Sequence, residues 1–313
     1  MRARLMTLLF KVPDERASAW KALFAEHAPD IPLRFWPDIG DPAQVRYFAA
    51  WQPPADLYER FPQLQVVFAT SAGVDQFDLA HVPESVSVVR MLDPGIAQGI
   101  IEYVGFAVLG LHRQMPTYLQ QQRQGVWKTH PLLAAGKRRV GVMGLGNLGQ
   151  AALNALHPFG FTLSGWSRTL KTLPDVHCYG GRDQLPEFLG NCDILLCLLP
   201  LTSDTAGILD TQTFAALPAG ASLINLGRGG HLVEADLLAA LDSGHLAHAI
   251  VDVLQEEPPR SDHPFLDHPK IWLTPHIGAM TDPHSAFEVL LENIRRHQRG
   301  EDMVGLVEPG TGY

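Results

Sequence analysis

Arg139-Val140-Gly141-Val142-Met143-Gly144-Leu145-Gly146-Asn147-Leu148-Gly149 runs from an apolar strand into a GxGxxG loop, and the helix-forming segment Gln150–Leu156 follows at once. The glycines have a mechanical reason to stand there. Gly144 permits a tight turn, Gly146 lets the backbone approach a pyrophosphate, and Gly149 lets the helix pack close to the strand, with the phosphate at the positive helix N-terminus. A bare glycine pattern carries little weight in a chain with 28 glycines, but here the strand before it and the helix after it are both present. The segment predicts a dinucleotide-binding unit, with Gly144, Gly146, Asn147, Leu148 and Gly149 around the phosphates.

Strands alternate with helices on both sides of this loop, which predicts parallel sheets. Upstream, strand-like runs at Arg4–Phe10, Leu33–Trp36, Val45–Ala50, Gln65–Ala69 and Val86–Met91 are separated by helical segments such as Glu15–His27 and Asp56–Arg60. That series reads as one small doubly wound domain. Asp93-Pro94-Gly95 punctuates the chain, and Gln98–Leu111 follows as an almost wholly apolar helix, interrupted only by Glu102 and glycines. A helix of that kind is expected to be buried nearly all round, between domains or subunits. A second series runs from Arg138 to Ile271–Thr274, after which Pro283–Arg299 reads as a helix with Phe287, Leu290, Leu291 and Ile294 on one face.

Composition narrows the classes. With 313 residues, 46% hydrophobic and 18% charged, the chain is expected to divide its core between two domains. A formal charge of -9 repels polyanions, so no nucleic-acid partner is expected, and an anionic ligand needs a local cation. The start of the chain lacks a small-residue cleavage site, and the longest apolar stretches are broken by Gly, Pro or charge before about 18 residues. A cytoplasmic protein without a membrane span is the expectation. Cys178, Cys192 and Cys197 are odd in number and lack CxxC spacing, which speaks against a disulfide framework or a zinc site and for small buried side chains.

The next strand, Phe161–Trp166, ends in Ser167-Arg168, where an NAD site usually carries Asp or Glu on the ribose 2′-OH. Arg168 stands where a cation would meet the 2′-phosphate of NADP, so NADPH is expected to bind better than NADH; the bland alternative is a solvated arginine. Three later segments, around Arg228, Glu257 and His276, also follow strands. Ligands in an open α/β sheet sit beyond the carboxyl ends of the strands, so the three side chains are candidates for one crevice. Each alone has an ordinary explanation as surface cation, loop carboxylate or satisfied histidine; their joint placement carries the inference. His263, His268 and His276 fit no local ligand spacing, and no metal is expected.

The glycine loop, Asn225-Leu226-Gly227-Arg228-Gly229, Val251-Asp252-Val253-Leu254-Gln255-Glu256-Glu257-Pro258 and Thr274-Pro275-His276 together resemble the D-isomer-specific 2-hydroxyacid dehydrogenase family. The nearer resemblance is to its bacterial glyoxylate/hydroxypyruvate reductase A branch, through Ala50-Trp51-Gln52-Pro53-Pro54, Ser71-Ala72-Gly73-Val74-Asp75, Trp166-Ser167-Arg168 and the closing Gly312-Tyr313. The resemblance implies a Rossmann cofactor domain, residues 96–282, inserted in a flavodoxin-like substrate domain, residues 1–95 with 283–313, and a homodimer with the apolar helix near Gln98 in its interface. It further implies that Arg228 binds the carboxylate and 2-oxo oxygen of a small 2-oxo acid, and that His276 protonates that oxygen as NADPH delivers hydride. Glu257 would fix the tautomer of His276 and hold its proton. Leu199, Pro200, Leu226, Gly227, Asp252 and His276 would line the cofactor, with Asp252 at the nicotinamide carboxamide. The backbone N–H groups of Gly73 and Val74 would form a second carboxylate cradle, and Trp51 would line the substrate pocket, though packing explains a tryptophan beside prolines equally well. Gly227 departs from the Ala or Ser expected before the arginine, a change expected to loosen the arginine's backbone without removing its function. A non-catalytic, nucleotide-sensing binding protein of the same superfamily, similar to the C-terminal-binding corepressors, is the rival; the intact Arg228, Glu257 and His276 favour the enzyme. Phosphoglycerate, formate and phosphite dehydrogenases are rivals within it.

Overall fold

A computed structural model describes residues 6–12, 14–74, 76–280 and 282–307. The beginning of the strand read from Arg4, Asp75 of the Ser71–Asp75 motif and the closing Gly312-Tyr313 lie outside the described residues. The chain forms two compact units, Met1–Ile96 with Thr281–Tyr313, and Ala97–Met280.

The first unit is built on five parallel strands, β1 (Thr7–Lys11), β2 (Leu33–Phe35), β3 (Val45–Ala50), β4 (Val66–Ala69) and β5 (Ser87–Val89), in the order β2-β1-β3-β4-β5. This is the flavodoxin-like order. β3 and β4 are buried along their whole length, as strands covered on both faces are, and the one charge in β3, Arg46, is met by the carbonyls of Ala43 and Gln63 at 3.1 and 3.2 Å. The helix Pro283–Arg299 is capped by Asp282, whose carboxylate accepts the Ser285 N–H at 3.0 Å, and Phe287 meets Phe24 edge-on at 5.0 Å. β5 is shorter than the run Val86–Met91 because its neighbours change: the Arg90 N–H donates to the carbonyl of Gly305, and Met91 to that of Ser71.

The second unit holds β6 (Arg139–Met143), β7 (Thr162–Ser167), β8 (His177–Gly180), β9 (Ile194–Cys197), β10 (Ala221–Asn225), β11 (Leu246–Val251) and β12 (Ile271–Leu273), all parallel, in the order β12-β11-β10-β9-β6-β7-β8. The strand order reverses between β6 and β9, which creates a crevice at the carboxyl ends of those two strands. Their opposite ends are stapled: Asp193 accepts the Arg139 N–H at 2.9 Å and its guanidinium at 2.6 Å. All three cysteines are free thiols; Cys178 lies in β8, Cys197 closes β9, and Cys192 and Cys197 are buried.

The apolar helix spans Pro94–His112, so the glycines read as interruptions lie inside one continuous helix. Its length and hydropathy would suffice to cross a membrane, yet Ile100, Val104, Ala107, Val108 and Leu111 are buried in a core shared with β6, β7, β9, β10 and β11. Within the single chain its burial is one-sided, with Phe106 59% exposed.

Candidate active site

The glycine loop folds as the motif demands. Gly144 has φ +101°, in the region that side chains resist, and a Cβ there would stand 2.6 Å from the carbonyl of Leu198 in the loop after β9. A Cβ on Gly149 would lie 1.8 Å from the carbonyl of Gly144, so this glycine sets the close approach of the helix Asn147–Leu156 to the turn. Gly146 caps that helix with no side-chain bond, and its Cβ position opens on free space. A pyrophosphate therefore fits against the first amides of the helix, which lack intrahelical acceptors. Leu199 is buried and Pro200 exposed on the β9 side of the crevice.

At the end of β7, Ser167 is buried and its hydroxyl donates to the carbonyl of Thr169 at 2.8 Å, while Arg168 is exposed. Lys171 is a second cation that the sequence reading passed over. Its ammonium donates to the carbonyl of Leu145, within the glycine loop, at 2.7 Å. The available signal was a lysine following a lone arginine by three residues.

Arg228, Glu257 and His276 follow the adjacent strands β10, β11 and β12, and the structure brings them together. Glu257 folds back on its own strand end, accepting the Leu254 N–H at 2.9 Å with one oxygen, and meets His276 Nδ1 at 2.8 Å with the other. Burial pushes the Glu257 carboxyl up, but the bonds from His276 and Leu254, with the charges of His276 and Arg228, hold it below the usual glutamate range. The carboxylate is thus ionised at neutral pH and accepts from Nδ1–H, which leaves His276 Nε2 directed elsewhere. Neighbouring loops are packed without slack: a Cβ on Gly229 would come within 1.9 Å of the Leu254 carbonyl carbon.

His276 adopts φ +54°, a conformation that costs a non-glycine residue energy and persists only where its surroundings impose it. Asp252 imposes it. This buried carboxylate accepts the Thr274 hydroxyl at 2.6 Å and the N–H groups of Ile277 and Gly278 at 2.9 and 2.8 Å, and its carbonyl accepts the His276 N–H at 2.8 Å. Tyr103 stands 2.6 Å from the Thr274 hydroxyl, and burial pushes its phenol up to about 12. The sequence reading assigned Asp252 to the nicotinamide alone. Its clamp on the His276 loop is not legible there, because the donors lie in the loop after a different strand, β12.

Gly227 does not leave the arginine loose. Its N–H donates to Asn225 Oδ1 at 3.2 Å, and Asn225 Nδ2 holds the carbonyl of Arg228 at 3.2 Å. The guanidinium of Arg228 turns back on the Gly227 carbonyl at 2.8 Å. Leu226 is buried beside them, and its N–H donates to Cys197 at the end of β9.

In the first unit, the loops after β3 and β4 carry the other predicted residues. Trp51 is 47% exposed, and the carbonyl of the adjacent Gln52 accepts from Lys11 at 3.2 Å. Ser71 donates to the carbonyl of Gly73 at 2.8 Å, and Gln76 donates to the Ser71 hydroxyl at 2.8 Å, which stiffens the turn that carries the Gly73 and Val74 amides. The Val74 side chain is buried in the core of its own unit.

A doubly wound sheet with a glycine turn at its switch point is the architecture of a dinucleotide-binding protein, and a histidine–carboxylate pair beside an arginine suits proton transfer to an anionic substrate. The chain belongs to the D-isomer-specific 2-hydroxyacid dehydrogenase family: the profile of its NAD-binding domain matches residues 106–278. A glyoxylate/hydroxypyruvate reductase A of Yersinia enterocolitica is 38% identical over 98% of this chain and all of its own length. A D-isomer-specific 2-hydroxyacid dehydrogenase of Xanthobacter autotrophicus Py2, solved with NADPH and MES, is 39% identical with a TM-score of 0.91, covering 98% of this chain and 99% of that one. An NADPH-dependent glyoxylate/hydroxypyruvate reductase of Sinorhizobium meliloti, solved with NADP and sulfate, is 33% identical with a TM-score of 0.91, covering 98% and 100% of the two chains.

Proposed function

We propose that this protein reduces small 2-oxo acids of the glyoxylate and hydroxypyruvate type to D-2-hydroxy acids, with NADPH as the preferred cofactor and NADH as a weaker one. The observation that carries this reading is the His276–Glu257 pair at 2.8 Å beside Arg228, on adjacent strands of the sheet that bears the glycine cradle. The similarity to reductases of this specificity over nearly the full chain supports the substrate class.

Bound NADPH supplies hydride to C2 of the substrate. Arg228 binds the carboxylate and the 2-oxo oxygen through its planar fork of donors. His276, with Nδ1 engaged by Glu257, protonates that oxygen from Nε2, and Glu257 orients the ring and balances its charge. Asp252 holds the His276 loop and would meet the nicotinamide carboxamide through the one carboxylate lone pair that its three donors leave. Arg168 and Lys171 receive the 2′-phosphate, the one hydroxyl proton of Ser167 being spent on the Thr169 carbonyl rather than free for the phosphate as the sequence suggests, and Leu199, Pro200, Leu226 and Gly227 line the cofactor. Residues 96–282 serve as the cofactor domain. Residues 1–95 with 283–313 serve as the substrate domain, where the Gly73 and Val74 amides cradle the carboxylate and Trp51 limits substrate size. The enzyme works in the cytoplasm as a homodimer.

The test follows oxidation of NADPH and NADH at 340 nm, the wavelength at which a reduced nicotinamide absorbs, with glyoxylate, hydroxypyruvate, pyruvate and phenylpyruvate. The two small polar acids with NADPH should give the highest kcat/KM. His276→Ala should lower kcat by about 10²–10⁴-fold, the worth of a positioned proton donor. Phenylpyruvate as best substrate, or wild-type turnover by His276→Ala, would overturn the assignment.

A further inference from the structure

Behind Arg228 lies a second histidine that the reaction itself does not use. His231 has no exposed surface and sits in the short turn Gly229–His231. Its Nδ1 accepts the backbone N–H of Arg228 at 3.0 Å, and its Nε2 lies 3.2 Å from the carbonyl of Pro200. The first contact needs a bare nitrogen and the second a protonated one, so the ring is the neutral Nε2–H tautomer with both nitrogens engaged. The backbone of the same residue closes the turn, donating to the Arg228 carbonyl at 3.2 Å and accepting from Leu209 at 2.8 Å. The ring also fills the face that Gly227 leaves open, since a Cβ there would stand 2.8 Å from Nδ1 and 2.9 Å from Cε1.

We infer that His231 is a positioning residue for Arg228: its imidazole fixes the backbone of the arginine and ties the loop after β10 to the Leu199-Pro200 loop after β9. The inference rests on the reading of Arg228 as the substrate-carboxylate ligand. Asn225 grips the carbonyl of Arg228 and His231 grips its N–H, so the peptide groups on both sides of the arginine Cα are held. The guanidinium stands at the end of a long flexible stem, where a small rotation at Cα becomes a large displacement of the donors. A displacement of about 1 Å in a positioning group can cost about 10²-fold in rate. Losing the Nδ1 acceptor also strands a part-buried N–H, which pulls the loop toward other partners.

The experiment compares His231→Ala, His231→Asn and His231→Gln in the full chain, with glyoxylate turnover, inhibition by oxalate as an unreactive dicarboxylate, and NADPH binding followed by fluorescence. Asparagine can offer an acceptor near the place of Nδ1, whereas glutamine carries its amide nearer the place of Nε2. His231→Ala should lower kcat/KM for glyoxylate by about 10- to 100-fold and weaken oxalate by about 10-fold, while NADPH weakens by less than oxalate does, because Thr205 still holds the Pro200 carbonyl of the cofactor-lining loop at 2.6 Å. His231→Asn should regain more of the oxalate affinity than His231→Gln; this comparison decides the matter should the alanine variant not fold. A folded His231→Ala with wild-type oxalate affinity, or asparagine with no advantage over glutamine, would overturn the inference. Failure of the wild type to turn over any 2-oxo acid would instead remove the role of Arg228 on which it rests.

Discussion

Glu257 is caught between two opposing forces, and its position says which prevails. Burial favours the neutral acid; the bonds from His276 and the Leu254 N–H, with the nearby positive charges, favour the anion and win. A carboxyl with a depressed folded pKa contributes stability that is present above its unfolded value and is lost as the pH falls through the folded value. Glu257→Gln should therefore lower the urea midpoint at neutral pH, and its gap from wild type should close as the pH falls from about 4.3 through the lower folded value. Urea titrations of both proteins across that range measure the gap; a constant gap would mean the charge contributes nothing. Arg168 is exposed, so solvent screening limits what its charge contributes. A hydrogen bond to a charged group is worth about 1.5–3 kcal/mol, or roughly 10- to 150-fold, and the lower end applies here. Arg168→Ala should reduce the NADPH:NADH ratio of kcat/KM by about 10-fold at low salt, with a smaller change at high salt. Lys171→Ala should add to that loss, because its ammonium is anchored on the glycine loop itself. An unchanged cofactor ratio in both variants would strip the two cations of the role.

At the scale of elements, the close approach of the helix Asn147–Leu156 to the β6 turn governs the cofactor site. A methyl on Gly149 has nowhere to go: the carbonyl of Gly144 would lie 1.8 Å away, and backbone cannot yield as a side-chain tip can. Gly149→Ala should destabilise the protein by about 1–3 kcal/mol, as overpacked sites do, and weaken NADPH binding by more than it lowers the melting temperature would suggest. Calorimetry and fluorescence titration on one preparation separate the two; near-normal NADPH affinity would show that the helix end need not sit so close. This element was legible in the sequence because every requirement is local: strand, glycines and helix lie within one short run. Val45–Ala50 and Pro283–Arg299 were legible for the same reason, and their ends match the observed ones. Arg228, Glu257 and His276 could be picked out as following successive strands, but the Asp252 clamp, the Tyr103–Thr274 contact and the anchoring of Lys171 could not. Each of those joins residues from different elements, and which elements become neighbours is decided by strand order, which no local pattern states.

For the whole molecule, the same separation of local from distant explains the face that remains uncovered. Phe106, Leu119, Leu266 and Trp272 line an open groove of about 480 Å³, with Phe106 stacked on Trp272 at 5.8 Å between ring centres. The segment after the helix Met115–Arg123 exposes Val126, Trp127 and Leu132, and Trp127 is fully solvent-exposed. That segment is not loose. His130 is held by the Tyr118 hydroxyl and by Gln121, Gln121 also donates to the Lys128 carbonyl, and Gln114 donates to the Pro131 carbonyl. An apolar arm already fixed in shape loses little entropy on association, and groove and arm on one unit suit the reciprocal contact of a two-fold dimer. Against this stands a formal charge of -9 on each copy, whose repulsion salt screens. Sedimentation should therefore give twice the mass of one chain, with a dimer that tightens as salt is raised from about 0.05 to about 0.5 M. Changing Phe106 to Asp and Trp127 to Ser together should yield monomers that still bind NADPH, because neither residue belongs to the glycine loop. A wild-type protein that sediments as a monomer at micromolar concentration in physiological salt would leave this apolar face without the partner assigned to it.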